Sequence, residues 1–299
     1  MAMDIAIVGG EVIDGTGRAR FRADVYVKDG KIAAIVRSGE ALEAWETIDA
    51  REKVVTPGFI DTHTHSDIML LWDRQHANGL HQGVTTEVLG QDGLSYAPLG
   101  KPNLEMYAKF LAGLNGRPDI PWDWSSVLEY RKKFDGTVAV NTVYQVPHGA
   151  LRLETVGAGD VPLTGENMKK AKELLDRGLK EGAAAFSTGL SYFPASYSDT
   201  EELVELCRTV AENDSLYVTH TRSVYRDEYF DPIVEAIEIA ERSGCKLHIS
   251  HYRTTPQTAG KVEEVMKDID AAYNRGVDVT AELYPYPSGS GYAVIFLPP

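Results

Sequence analysis

Residues 198–220, SDTEELVELCRTVAENDSLYVTH, contain one full unit of the pattern that decides the fold. Ser198 and Glu201 have the spacing of a capping box, in which each side chain satisfies a backbone N–H that lacks an intrahelical partner. Leu203, Leu206, Cys207 and Val210 then share one helical face, and the β-forming run 216–219 predicts a strand. The next unit opens at Asp231-Pro232, carries Ile233, Ala236, Ile237 and Ala240 inward, stops at Gly244 and passes into a strand over 246–250. A third has Val262, Val265, Ile269 and Ala272 on its helix, ends at Gly276 and continues as a strand over 277–283. Strands that alternate with helices in this way predict a parallel sheet with crossover helices.

Upstream, runs at 54–61, 84–89, 138–146 and 183–187 read as four more strands, which brings the expected number to seven. Residues 57–299 come close to the roughly 250 residues of a (βα)₈ barrel, but irregular sequence around 94–135 uses part of that length. The expected fold is α/β: a TIM-type (βα)₈ barrel over residues 57–299, with seven of its eight strands in this chain. A doubly wound open sheet is the alternative, weakened by the lack of a GxGxxG after an early strand. Residues 1–56 read differently, as short β runs at 4–8, 11–13, 23–28 and 31–36, with Asp29-Gly30 set for a type I′ hairpin turn. They predict a small, sandwich-like β unit, too short for a sizeable core and in need of strands from elsewhere.

At 43% apolar and 25% charged, the composition is that of a globular chain rather than a disordered or fibrous one. The net charge of -14 repels phosphate backbones and anionic lipid, so neither nucleic acid nor a membrane is an expected partner. Cys207 and Cys245 are too few for a disulfide framework. No apolar run reaches the ~18 residues of a membrane span, and the first residues lack the features of a signal peptide. A cytoplasmic protein is expected.

His63 and His65 stand two apart at the end of the first barrel strand, so both side chains point to one face at the mouth where barrel enzymes keep their active sites. His220 ends the fifth strand and His251 the sixth, which places four imidazoles at that mouth. His248 is out of phase with His251 and reads as structural; His76 and His81 carry no supporting pattern. Two ions held side by side need a bridging group. Asp92, which follows the second strand in Gly90-Gln91-Asp92-Gly93, is the first candidate, and Glu87 within that strand the second.

Pro57-Gly-Phe-Ile-Asp61-Thr-His63-Thr-His65 resembles the PGxxDxHxH signature of the amidohydrolase superfamily, metal-dependent hydrolases on a (βα)₈ barrel. Gly83-Val-Thr-Thr, Val146-Pro-His148-Gly149, Phe186-Ser-Thr-Gly-Leu190, Thr219-His220-Thr-Arg222 and Ile249-Ser-His251 resemble, in order, blocks of the N-acyl-D-amino-acid deacylases (D-aminoacylases). The resemblance implies a zinc site of one or two ions, with His220, His251 and a bridging residue on the main ion and His63 and His65 on a weaker one. It also implies hydrolysis of the amide bond of N-acyl-D-amino acids. Arg253 occupies the family's basic position and suits a substrate carboxylate, and Tyr192 and Tyr284 are implied substrate contacts. Arg222 and His148 read equally well as support for His220 and the third strand.

Two departures stand out. Where the family has cysteine in GNCG, this chain has Asp92, a harder ligand; the fourth strand, 183–187, has no lysine to carry the carbamate used by other superfamily branches. The family's catalytic aspartate at the end of the eighth strand has no counterpart before Phe296-Leu-Pro-Pro299, so no residue is assigned as catalytic. A C-terminal polypeptide that completes the barrel is the expected partner. The rival readings are a cyclic-amide hydrolase of the dihydroorotase or hydantoinase kind and a non-catalytic truncated relative.

Overall fold

A computed structural model describes residues 2–37, 41–222, 231–254, 258–289 and 291, and the chain end at Phe296–Pro299 lies outside the described residues. The chain separates into two compact units, Met1–Phe59 and Ile60–Pro299.

In the first unit, strands Lys31–Val36, Asp24–Lys28, Met3–Val8 and Ala44–Asp49 lie side by side in that order. Lys28 pairs with Lys31 across the hairpin, and Asp29 and Gly30 both have positive φ (51° and 70°), as the type I′ turn requires. The strand Ala44–Asp49 carries no clean alternation, with Trp45 exposed, and sequence reasoning passed over it. The predicted strand over 54–61 divides. Val54–Val55 pairs with Glu11–Val12 in a three-stranded sheet of the small unit, Thr56-Pro57-Gly58 interrupts, and Phe59–Asp61 starts the large sheet. Proline has no N–H to give a ladder, and glycine weakens a strand interior.

The large sheet has the seven expected strands in sequential order: β1 (Phe59–Asp61), β2 (Val84–Leu89), β3 (Asn141–Pro147), β4 (Ala185–Gly189), β5 (Leu216–His220), β6 (Lys246–Tyr252) and β7 (Val279–Leu283). Every register from β2 to β7 is parallel. Thr62, just beyond β1, donates to Glu282 on β7 at 2.9 Å, so the sheet curls until the ends of its first and last strands meet at the C-terminal mouth. This is a half-barrel of the (βα)₈ type.

Helices Gly165–Lys180, Thr200–Glu212, Pro232–Ser243 and Val262–Asn274 lie between successive strands. Asp231 caps as expected, accepting from the N–H of Ile233 at 2.8 Å, and Gly244 closes its helix at φ 77°. The cap before it sits one residue later than the capping box predicted. Asp199 accepts from Glu202 N at 2.8 Å, while the Ser198 hydroxyl donates to the Ala195 carbonyl, and the Glu202 side chain bonds instead to His148 and Arg152. The stretch 94–135 is not irregular: it forms helices Lys101–Phe110, Ala112–Asn115 and Val127–Lys132, the last opened by a Ser126/Glu129 capping box. Its buried Tyr96, Trp124 and Tyr130 join the core of the half-barrel. Among the described residues, no helix is long and apolar enough to cross a membrane.

Candidate metal centre

Strand ends deliver each candidate ligand. After β1, the His63 N–H donates to Asp61 Oδ1 at 3.1 Å, an Asx turn that starts the His63-Thr64-His65 segment. After β2 the chain turns through Gly90 (φ 81°), Asp92 (φ 56°) and Gly93 (φ 67°), and Asp92 is among the few residue types that occupy this left-handed region readily. The turn is pinned from β4: Gly93 N–H donates to Ser187 Oγ at 3.2 Å, and Ser187 Oγ donates to the Gly90 carbonyl. Gln91 Nε2 ties the same turn to the Thr62 carbonyl after β1.

The closest packing is at Gly189, where a β-carbon would lie 2.1 Å from the Asp92 carbonyl oxygen and 2.5 Å from the Tyr192 ring. Gly189→Ala is therefore expected to push the Asp92 turn outward and to weaken metal binding by about 10-fold or more, as loss of outer support does elsewhere. Zinc titration against a competing chelator checks this. Unchanged affinity would mean that β4 does not set the position of Asp92.

Asp92 Oδ2 stands 3.6 Å from His63 Nε2, 3.5 Å from His65 Nε2, 3.6 Å from His220 Nδ1 and 3.9 Å from His251 Nε2. Two ligands on one tetrahedral zinc, each about 2.0–2.1 Å from the ion, stand roughly 3.4 Å apart. The four separations are long for hydrogen bonds and close to that value. Two triads result, His63–His65–Asp92 and Asp92–His220–His251, each with its ligand atoms within 4.8 Å of one another. Asp92 Oδ1 is buried with no hydrogen-bond partner among the described residues, an uncompensated acceptor that a cation would satisfy. The donor set of imidazoles and a carboxylate is one that zinc accepts.

Asp92 and two of the rings have displaced pKa values. Burial would raise the Asp92 pKa, but the rings of His220, His63 and His65 facing it outweigh burial and hold the carboxyl well below its usual range. Burial opposes charge on His63 too, yet Asp92 and Glu282 carry its pKa up to about 10. His251 goes the other way, to about 4: burial, aided by His220 and His63, outweighs the pull of Asp92 and keeps the ring neutral. His220 Nδ1 and His251 Nε2 are 2.7 Å apart and share a proton, which a cation bound to both would replace.

The triads form one side of a cavity of about 790 Å³. Tyr192, Arg253 and Tyr284 also line it. The Tyr192 ring lies 4.7 Å from that of His220, and the Arg253 guanidinium stacks 4.7 Å over the Tyr284 ring.

Other candidates go elsewhere. Glu87 belongs to neither triad, because its carboxylate receives the Ser66 hydroxyl and pairs with His76 Nε2 at 2.5 Å, a partnership that gives His76 a role the sequence did not suggest. His81 is exposed. Arg222 pairs with Glu235 at 3.1 Å, and the buried His148 bonds to Glu202 at 2.8 Å. Cys207 and Cys245 are buried free thiols. His248 is closer to the centre than strand parity allowed. A register shift between Ile249 and Tyr252, with His251 at φ 38°, breaks the alternation, and His248 Nε2 comes 3.5 Å from Glu282. Glu282 itself was missed, since a single acidic residue in a strand carries no local signal of what it meets.

A family model described as the amidohydrolase family matches residues 46–282. The chain belongs to the amidohydrolase family. This amidohydrolase is 33% identical to an N-acyl-D-glutamate deacylase of Alcaligenes xylosoxydans xylosoxydans over 96% of its own length and 58% of that protein's. It is 34% identical, with the same coverage, to a D-aminoacylase of that organism. Its fold superposes with a TM-score of 0.84 on the N-acyl-D-glutamate deacylase of Bordetella bronchiseptica, solved with zinc and a phosphonate mimic of the tetrahedral intermediate. That pair is 33% identical, over 96% of this chain and 59% of the other. The amidohydrolase thus lies in the D-aminoacylase branch of the family and spans less than two thirds of these relatives.

Proposed function

We propose that residues 57–299 form the metal-binding and substrate-recognising part of a zinc-dependent hydrolase that cleaves the amide bond of N-acyl-D-amino acids. The observation that carries this reading is one buried carboxylate oxygen standing 3.5 to 3.9 Å from four imidazole nitrogens. His63, His65 and Asp92 would hold one ion, and Asp92, His220 and His251 the other. Bound zinc supplies Lewis-acid activation of water and of the scissile carbonyl.

The chain's own residues do the rest. Arg253 presents two parallel N–H donors to the α-carboxylate of the substrate, and its stacking on Tyr284 limits where the guanidinium can point. Tyr192, beside His220, and Tyr284 offer hydroxyls to the carboxylate or to the oxygen that gains charge during attack. A substrate seated in this cavity would displace bulk water from these groups, which strengthens each contact. The acid–base carboxylate that takes and returns the proton would belong to the part of the barrel that corresponds to the relatives' remaining length. A reducing cytoplasm suits the two free thiols.

Metal analysis coupled to a hydrolysis screen over N-acetyl-D- and N-acetyl-L-amino acids, with and without any co-purifying polypeptide, tests the reading. Bound zinc and turnover of D substrates are expected. Preference for cyclic ureides would favour the hydantoinase-like alternative, and zinc without turnover in any combination a non-catalytic relative. Arg253→Met is expected to raise KM about 10- to 100-fold with kcat little changed, the loss of one charge-assisted contact. A KM that does not move removes Arg253 from the carboxylate site.

A further inference from the structure

We propose that Glu282 is a positioning residue for His63: it fixes the ring so that Nε2 faces the metal site, and so sets the affinity for the ion shared by His63, His65 and Asp92. The inference rests on the zinc-centre reading and goes beyond it by assigning a role to a residue outside both triads.

Three donors and one further imidazole converge on the Glu282 carboxylate. Oε1 receives His63 Nδ1 and, at 3.1 Å, the backbone N–H of His251. Oε2 receives the Thr62 hydroxyl at 2.9 Å and lies 3.5 Å from His248 Nε2. A carboxylate with both oxygens engaged by groups from two other strand ends has one orientation available.

The consequence for His63 follows from the chemistry of imidazole. An ionised carboxylate only accepts, so the nitrogen facing it carries the proton, and the lone pair of a neutral ring is left on the other nitrogen. That other nitrogen is Nε2, which is directed at Asp92 Oδ2 from 3.6 Å. A carboxylate behind a metal-binding histidine holds the ring in place and makes it a better donor. Among the described residues His65 has no such partner, since its Nδ1 is buried without a hydrogen bond. The ion on this side therefore depends on Glu282 through His63 more than the ion held by Asp92, His220 and His251 does.

Glu282→Gln separates this role from a general structural one. Glutamine retains one acceptor oxygen for His63 and His251 but removes the charge. Two readouts apply: stepwise zinc titration against a competing chelator, and ¹⁵N-edited spectra of the His63 ring in zinc-loaded protein. Expected are a 10- to 100-fold loss in affinity for the weaker ion, retention of the tighter one, and an upfield shift of the His63 Nδ1–H proton as its bond to a carboxylate is lost. Glu282→Ala, if folded by thermal melting, is expected to lose at least as much. Two ions bound with wild-type affinity in the glutamine variant would overturn the proposal, as would an equal loss of both. Wild-type protein that binds no zinc defeats the metal centre itself, before any variant is made, and takes this inference with it.

Discussion

Asp92→Asn is expected to reduce bound zinc to one weakly held ion or none and to lower any amide hydrolysis by about 10³-fold or more, since zinc is what brings the pKa of water from 15.7 to about 7. The reason is geometric. Asp92 is the member common to both triads, and its Oδ2 stands within 3.9 Å of all four imidazole nitrogens. Asparagine keeps the size of the side chain and tolerates φ 56°, whereas alanine would add the roughly 1–2 kcal/mol cost of a left-handed conformation and confuse the result. What changes is the charge. Without it, four imidazoles face one another with no anion between them, and the elevated proton affinity of His63 loses its strongest support. Zinc titration and a circular dichroism spectrum distinguish loss of ligand from loss of fold. Wild-type occupancy of both ions in a folded Asp92→Asn protein would remove Asp92 as bridge.

The second large effect is on stability and lies away from the cavity. Arg152 is fully buried; Nη1 donates to Glu202 Oε2 and Nη2 to the Val161 carbonyl at 2.7 Å, while Glu202 Oε1 pairs with the buried His148 at 2.8 Å. Burial alone would raise the Glu202 pKa, but His148 and Arg152 hold it below its usual value, so the carboxylate is charged in the core. Glu202→Leu strands a guanidinium that cannot shed its proton, and breaking a buried pair in this way costs about 3–5 kcal/mol. Urea denaturation checks the figure. The double variant Arg152→Met/Glu202→Leu is expected to recover most of the loss, because an apolar replacement of both partners removes the desolvation problem.

The pH dependence of the same cluster has a definite sign. The depressed Glu202 pKa contributes stability that is present above its unfolded value of 4.5 and fades as pH falls through the folded one. Burial also depresses His148, so its contribution declines as pH drops below 6.5 and the unfolded chain takes up the proton. Both favour neutral over acidic conditions, and the Glu202→Leu protein should lose less on acidification below pH 4.5 than the wild type does.

Much of this molecule was legible along the chain because its governing signals are local. Apolar residues at helical spacing, caps such as Asp231 and stops such as Gly244 locate helices without knowledge of neighbours, and seven β runs between them specify a parallel sheet in sequential order. Two-residue parity likewise says that His63 and His65 share a face. Where local signals compete, the sequence is ambiguous. The spacing placed the cap at Ser198, but Asp199 beside it is an equally good capping type, and the structure uses Asp199 while Ser198 turns to a carbonyl. Parity also fails at a bulge, which no local pattern announced, and so the His248 ring comes to Glu282, which also accepts the His251 backbone N–H.

By itself, then, the sequence determined the order of elements, the mouth at which the histidines gather and the residue types available there. Only the tertiary structure decided which acid serves which base. Asp92 meets four rings, Glu87 is taken by Ser66 and His76, and Glu282 reaches back across the curled sheet to Thr62 and His63, some 220 residues earlier in the chain. Secondary structure follows from interactions over a few residues, whereas a site is made by closure of the sheet, which joins positions whose sequence separation carries no information about their distance.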